Sequence, residues 1–433
     1  MTDRLSDIRR RLAEAPADLV VECLATELAR AYGTVETELL QVDYRLAALV
    51  PLHGGDPVTG AGTPAWRCFD HQAPAFQDGI LHLPVTMRGE RLGVLRLAPA
   101  PEDPRRRDEL AEAADALAHE LIVVRPGTDK YAVGARTRRL TLAAEMQWEL
   151  LPGRSRIRPS FSLAGQLEPA YAVRGDSFDW ADDDQRLWLS TVNGMGEGVT
   201  ASMLTCLGTN ALRNARRAGL ELADQAALAD QAIYAYHQGI QHLSALLLEL
   251  DLRTGVVTAV DAGSPRLLVL RDGEVIEQSL DDQFPLGMFD GTIYQSQSFT
   301  LTLGDRLFVV SDGVFDATSR IARYGDTALH RSVRRTRSMA PLEAVRSLLG
   351  DLRAFVGTDL VDDAVVVCLE WRGFRAEHLH DPSVWHTGDT LSGGRGGDTS
   401  LGGRGGDTSL EGRGGDALSG ERGGERTGPD QGQ

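Results

Sequence analysis

RLFVVSDGV (residues 306–314) and DDAVVVCLEW (362–371) are two apolar runs bounded by acidic residues. Short runs rich in Val, Leu and Phe predict buried strands. RGDSFD (174–179) adds a third acidic motif after a predicted strand. An aspartate at a strand end is commonly a turn residue, and for any one of these motifs taken alone the turn would be the better account. Three of them, with the glycine-rich turn NGMGEG (193–198) opening a helix, are harder to dismiss. Hard oxygen ligands converging from strand ends are what Mg2+ or Mn2+ requires.

Around these motifs, LSALLLELDL, VVTAVDA, RLLVL and GEVIEQSL follow one another from residue 243 to 280, with turn residues RTG (253–255) and RDG (271–273) between them. This pattern predicts a meander of antiparallel strands. Two long helical stretches are expected at 198–218 and 222–240. Strands in runs around grouped helices predict an α+β layered domain over 155–373 rather than βαβ units.

The stretch RTRRLTLAAEMQWELL (136–151), ending at Pro152, predicts a helix within a linker over 126–154. It is either a mechanical coupling or a simple spacer. A separate region over 1–125 shows apolar helical spacing at 17–32, a hairpin at 81–98 about the turn RGE, and an amphipathic helix at 105–124. The segment from 388 to 433 repeats units such as GGRGGDTSL and places arginines at 395, 404, 413 and 422. Its spelling matches a calcium-binding β-roll repeat, but the positions that should turn an apolar side chain inward hold Ser400 and Ser409. With nothing to bury, a disordered tail is expected.

Composition narrows the function. The 433 residues carry a formal net charge of −17, which argues against general binding to nucleic acid or an anionic membrane. Cys23, Cys68, Cys206 and Cys368 lack CxxC spacing and lie in or beside apolar stretches, so free buried thiols in a reducing cytoplasm are expected. The opening MTDRLSDIRRRLAEA has no apolar core of a signal peptide, and nothing approaches the ~18 uninterrupted apolar residues of a membrane span.

The motif order resembles the SpoIIE-like branch of PPM-type (protein phosphatase 2C-like) phosphatases. The motifs are Gln147–Pro152, Gly175–Asp179, Asn193–Gly198, Ala262–Pro265, Phe284–Gly287, Ser311–Val314 and Asp362-Asp363. The resemblance implies a β-sandwich of two antiparallel sheets flanked by helices, with two Mn2+ or Mg2+ ions at its edge. It implies Asp176, Asp312 and Asp362 as metal ligands and catalytic residues, with the Gly194 carbonyl beside them. Neighbouring side chains on a strand point to opposite faces, so only one of Asp362 and Asp363 can face the ions, and the family pattern selects Asp362. The implied activity is hydrolysis of phosphoserine or phosphothreonine on a regulatory protein, such as a phosphorylated anti-sigma-factor antagonist. Residues 1–125, with L-P-V-x-x-x-G-x-x-x-G-V-L at 83–95, resemble a GAF sensory domain, which implies a sensor and a homodimer contact.

This chain departs from the family pattern at the site. Asn193 stands where family members carry a metal-bridging Asp, Glu197 replaces a His, Met195 occupies the offset of a His in eukaryotic-type members, and Arg174 and Ser264 replace a Gly and a His. Glu197 or Asp179 is a candidate to supply the missing carboxylate. Arg174 is a candidate phosphate-binding residue, because a guanidinium holds phosphate through paired contacts; otherwise it is a surface arginine paired with an acid. Three alternatives follow: a compensated two-ion enzyme, a weak enzyme retaining one ion, or a pseudophosphatase that binds a phosphoprotein without hydrolysis. Alternatively the GAF-like region is the functional centre and its output is assembly.

Overall fold

In the computed structural model, residues 2–373 are described, apart from 35, 61, 170–172, 264 and 358–359. The expected glycine-rich tail and Ser264 lie outside the described residues.

The chain opens with α1 (Thr2–Glu14), α2 (Val20–Tyr32), β1 (Glu36–Val42), β2 (Leu49–Pro51), α3 (Pro64–His71), β3 (Ala75–Gln77), β4 (Ile80–Met87), β5 (Glu90–Ala98) and α4 (Pro104–Val124). The strands form one antiparallel sheet in the order β2-β1-β5-β4-β3. The predicted hairpin is β4 and β5, joined at Arg88 and Gly89 with φ of 52° and 90°. In α4, the Asp103 carboxylate accepts the Arg105 amide and Pro104 takes the first turn, while Leu110, Ala113, Ala114, Leu117, Ala118 and Leu121 are buried. That helical spacing puts one stripe on the sheet, where α1 and α2 join it in a core with Leu39, Leu81, Leu95 and Leu97.

Next come α5 (Lys130–Gly134) and α6 (Leu142–Leu150). The helix expected over 136–151 begins only at Leu142. Thr141, in extended conformation, accepts the Ala144 amide with its side chain and so fixes the helix start. Leu151 is extended ahead of Pro152, as the proline ring demands.

The remaining elements are β6 (Ser155–Arg158), β7 (Phe161–Glu168), β8 (Asp176–Asp182), β9 (Arg186–Gly194), α7 (Gly198–Arg217), α8 (Leu222–His237), β10 (Leu243–Asp251), β11 (Val256–Ala262), β12 (Arg266–Arg271), β13 (Glu274–Glu277), β14 (Gln297–Thr300), β15 (Arg306–Val310), α9 (Asp312–Phe315), α10 (Tyr324–Thr327), α11 (Leu329–Arg335), α12 (Pro341–Val356) and β16 (Ala364–Trp371). Two antiparallel sheets result, β14-β11-β10-β9-β8 and β13-β12-β15-β16-β7-β6. The α+β class read from the sequence is the class observed.

Strand alternation assigns the faces. Val365, Val367 and Leu369 of β16 and Leu307 and Val309 of β15 meet Phe178, Leu189, Leu246 and Leu248 of the other sheet, closing the sandwich. The alternate residues Val366, Cys368, Phe308 and Val310 pack outward on α12. On the far side, Val192, Ala245, Leu247 and Val260 pack against α7 and α8. All four cysteines are free, with Cys68 and Cys368 buried and Cys23 and Cys206 half-buried. Among the described residues, no helix is long and apolar enough to cross a membrane.

One core crosses from the N-terminal sheet to the sandwich. Leu40, Val42, Trp66, Phe69 and Val94 share a cluster with Phe308, Val345, Leu348 and Leu352. Polar contacts reinforce the junction. The Glu90 carboxylate accepts the Arg154 and Ser155 amides at 2.7 and 3.0 Å. Glu168, 0% exposed, is held by Arg45 on one side and by Arg353 at 3.0 Å on the other. Removing one charge from such a buried group leaves the others uncompensated. Glu168→Gln should therefore cost about 3 kcal/mol, measured by urea denaturation; a change under about 1 kcal/mol would show that this cluster does not hold the junction.

Candidate active site

Three acidic strand ends meet at one rim of the sandwich. Asp176 begins β8 and pairs directly with Asn193 near the end of β9. Phe178 lies in the sandwich core, and Asp176, two residues before it, is turned the same way. Asn193 shares that face, because directly paired residues point to the same side. The Asn193 side-chain amide donates to Asp312 Oδ1 at 2.9 Å. Asp312 opens α9 immediately after β15, and Gly313 beside it is compelled: a Cβ there would stand 1.8 Å from the Asp363 carbonyl oxygen. Gly194 is equally confined, since a Cβ would meet Thr205 Oγ1 at 2.5 Å.

Asp362 and Asp363 divide the work. Both precede β16, so neither is fixed by the regular pleat. Asp362 is half-buried, with the Arg174 Nε 4.0 Å from its Oδ1. Asp363 is fully buried, and its Oδ2 accepts the Arg174 and Gly175 amides at 2.8 and 3.1 Å and the Gln147 side chain at 3.0 Å. Gln147 also donates to the Asp176 carbonyl at 2.9 Å. Asp363 is thus a clamp for the loop that delivers Asp176. Sequence analysis did not assign it this role.

The electrostatics are unusual for carboxylates. Asp176 is 0% exposed, and neither of its oxygens has a hydrogen-bond partner. Burial, with the charges of Asp312 and Asp363, pushes its pKa well above the ordinary range. The Ser311 hydroxyl works against that rise, and its oxygen accepts the Val365 amide at 2.9 Å. Burial likewise raises Asp312, against the opposing bonds from the Gly313 amide and Asn193. Asp362 is pushed up to about 6 by burial and by Asp312. Three acids raised together describe a site short of positive charge.

The other predicted residues fall differently. Asp179 does not join the group. Three positions along β8 the pleat turns it to the opposite face, where Arg213 at 2.8 Å and Arg216 at 3.1 Å from α7 hold its two oxygens. Glu197 is exposed at the N-cap of α7 and lies 3.4 Å from Arg174 Nη2. Arg174 spans Glu197 and Asp362, while its buried Nε–H has no hydrogen-bond partner.

Among the described residues, no three acidic, histidine or cysteine side chains form a ready metal cage. The orphaned carboxylate of Asp176 nevertheless fits a cation. A buried anion without donors is costly, and a hard divalent ion satisfies its two oxygens.

The chain is similar to several known proteins. A model of the family described as Stage II sporulation protein E (SpoIIE) matches residues 183–372, a span that takes in Asn193, Asp312 and Asp362 and begins after Asp176. The phosphoserine phosphatase RsbP of Bacillus subtilis is 24% identical over 164 residues, 37% of this chain and 38% of the relative. The chain therefore spans just over a third of that relative's length. Among solved structures, the PP2C phosphatase domain of SpoIIE from Bacillus subtilis with a regulatory fragment is 17% identical, with a TM-score of 0.44 over 50% of this chain and 65% of that one. The RsbU and RsbW domains of a Mycobacterium tuberculosis protein are 22% identical, with a TM-score of 0.44 over 52% of this chain and 64% of that one. The catalytic domain of the phosphatase PstP, solved with 2 manganese ions, is 18% identical, with a TM-score of 0.37 over 49% of this chain and 98% of that one.

The raised carboxylates make a signed prediction for the cation-free protein. Between the ordinary carboxylate range near pH ~4 and the folded-state value, which is about 6 for Asp362, the folded state holds protons that the unfolded chain has lost. Their contribution to stability is therefore present at low pH and is lost as pH rises through this window. Asp176→Asn removes one buried charge. In chelator-treated protein at pH 7 it should raise Tm by about 2–4 °C, and the gain over wild type should shrink as the buffer is lowered to pH 5. Differential scanning calorimetry checks both; a variant less stable than wild type at pH 7 would refute the orphaned-charge account.

Proposed function

We propose that this chain, whose residues 183–372 match a model of the SpoIIE family, is a metal-dependent protein serine/threonine phosphatase of the PP2C type acting in bacterial signalling. The observation that carries the proposal is the unpartnered, fully buried carboxylate of Asp176 beside Asp312 and Asp362. Such a group is expensive to fold around and useful for holding a cation.

In this reading Asp176, Asp312 and Asp362 would hold Mn2+ or Mg2+, with the Gly194 carbonyl beside them. Such an ion would supply Lewis acidity to the phosphoryl group and lower the pKa of water. Asn193 orients Asp312 through its 2.9 Å bond. Asp363 fixes the loop of Arg174 and Gly175, and the Arg174 Nε–H is offered to a phosphoryl oxygen. Water attacks phosphorus, the bond to the serine or threonine oxygen breaks, and inorganic phosphate and the free hydroxyl result. This direct displacement requires no covalent phosphoenzyme.

A folded phosphoprotein suits the surroundings better than a small phosphoester. Met195, Val199 and Met203 are exposed on the loop and first turns of α7 that open from Gly194, and apolar residues beside a polar site suit a protein partner. The substrate class we favour is a phosphorylated regulatory protein, such as an anti-sigma-factor antagonist. The N-terminal sheet, with its GAF-like pattern, serves as the sensor and as the surface of a homodimer, and the protein works in the cytoplasm.

One observation favours a second reading. Asn193 already donates to Asp312, and Arg174 already faces Asp362, so the chain supplies donors where a cation would bind. A pseudophosphatase that retains phosphoprotein without hydrolysing it would look the same. Phosphate release separates the two. With Mn2+, purified protein should dephosphorylate a phosphoserine protein, and Asp176→Asn or Asp312→Ala should lower the rate at least 100-fold while leaving circular dichroism unchanged. Mn2+-independent binding of the phosphoprotein with no phosphate release would establish the second reading.

A further inference from the structure

The site holds two complementary orphans. Asp176 offers two buried oxygens that accept nothing, and Arg174 offers a buried Nε–H that donates to nothing. The first wants a cation and the second wants an anionic oxygen. The other two acids are partly served by the chain itself. Asp312 accepts the Asn193 amide at 2.9 Å, and Asp362 has the Arg174 guanidinium 4.0 Å away. Asp363 is spent on three N–H donors. Asp179 is held by two arginines on the other face of β8.

Charge points the same way. Of the three acids at the rim, only Asp362 has an arginine beside it, and Asp176 and Asp312 are the pair left for a divalent ion. A second ion would need a carboxylate shared between the two, yet Asn193, the residue paired with Asp176, ends in a neutral amide whose N–H2 faces Asp312. An amide carries no negative charge to share between two ions, and here its N–H2 donates to Asp312. Glu197 does not relieve this, because it is exposed and 3.4 Å from Arg174.

We infer that this centre takes one divalent cation, held by Asp176 with Asp312, and that Arg174 stands in for a second ion by neutralising Asp362 and binding the phosphoryl group through its free Nε–H. This rests on the phosphatase reading and departs from the two-ion site that the family resemblance implies. The guanidinium is permanently charged and bound to the chain, so one half of the electrostatic work is present before any metal binds.

Mn2+ binding to the purified full-length protein tests the inference without recourse to activity. Titration calorimetry should give a stoichiometry of one, and electron paramagnetic resonance should show a six-line signal of an isolated ion that does not broaden as a second equivalent is added. Arg174→Lys should keep a stoichiometry of one. Asn193→Asp combined with Arg174→Ala should bind a second equivalent, with the spin-coupled spectrum of a neighbouring pair. Two coupled ions in the wild type would overturn the inference and leave the phosphatase reading standing. A double variant that folds, by its melting transition, and still binds one ion would overturn the role given to Arg174 and Asn193. No Mn2+ binding at all by wild type would overturn both the inference and the metal-dependent reading beneath it. Phosphate completes the test: in cation-free wild type, inorganic phosphate should weaken at least tenfold on Arg174→Ala, and an unchanged affinity would remove Arg174 from the phosphate site.

Discussion

The site depends on the buried carboxylate of Asp363. Three N–H groups converge on one of its oxygens, from the Gln147 side chain and the Arg174 and Gly175 backbones. Those donors belong to α6 and to the loop before β8 of the five-stranded sheet, while Asp363 itself precedes the central strand β16 of the six-stranded sheet. Hydrogen bonds to a charged acceptor are roughly twice as strong as neutral ones. Burial from water strengthens them further. This junction sets where Asp176 emerges and where the Arg174 side chain starts. Gly313 completes it, because the Asp363 carbonyl occupies the space that any Cβ would need.

Gln147 makes this clamp more than a local detail. It lies on α6, between the N-terminal sheet and the sandwich, and it also donates to the Asp176 carbonyl. Its neighbour Trp148 packs edge-on against Tyr44 of the N-terminal region, with ring centroids 5.1 Å apart. A displacement of α6 would therefore change aromatic packing at one residue and the setting of the acidic loop at the next. The shared core of α3, β1 and α12 leaves little freedom for the two parts to shift independently. The helix α6 thus touches both parts through adjacent residues, Trp148 with Tyr44 and Gln147 with Asp363.

What the sequence disclosed was what repeats locally. The β4–β5 hairpin was legible from alternation about an RGE turn, α7 and α8 from helical spacing, and β15 and β16 from uninterrupted Val and Leu runs with acids at their ends. Motif order brought Asp176, Asp312 and Asp362 under consideration together. The roles assigned by long-range partners were not legible. Glu168 takes its arginines from positions 45 and 353, and no local pattern announces that. Asp179 looked available as a ligand because it sits in the same motif as Asp176. The odd spacing of three, however, puts it on the other face of the strand, and α7 brings two arginines to it. The adjacent acids 362 and 363 are interchangeable as letters; only the turn before β16 decides which one is sealed inside.

Arg174 and Asn193 act on the same imbalance from two sides. Gathering one buried and two half-buried carboxylates at one rim destabilises the cation-free fold, and each carboxylate left without a donor adds to that cost. Asn193 lowers the cost at Asp312 by a hydrogen bond, and Arg174 lowers it at Asp362 by charge. Asp176 keeps the largest penalty, fully buried, with both oxygens unpartnered and only the Ser311 hydroxyl opposing its shift. A protein that needed no cation would gain by giving it further donors. The unrelieved group is the one whose strand neighbours point into the sandwich core, where water cannot compete. Stability is spent at that single carboxylate, and a cation is the partner that restores it.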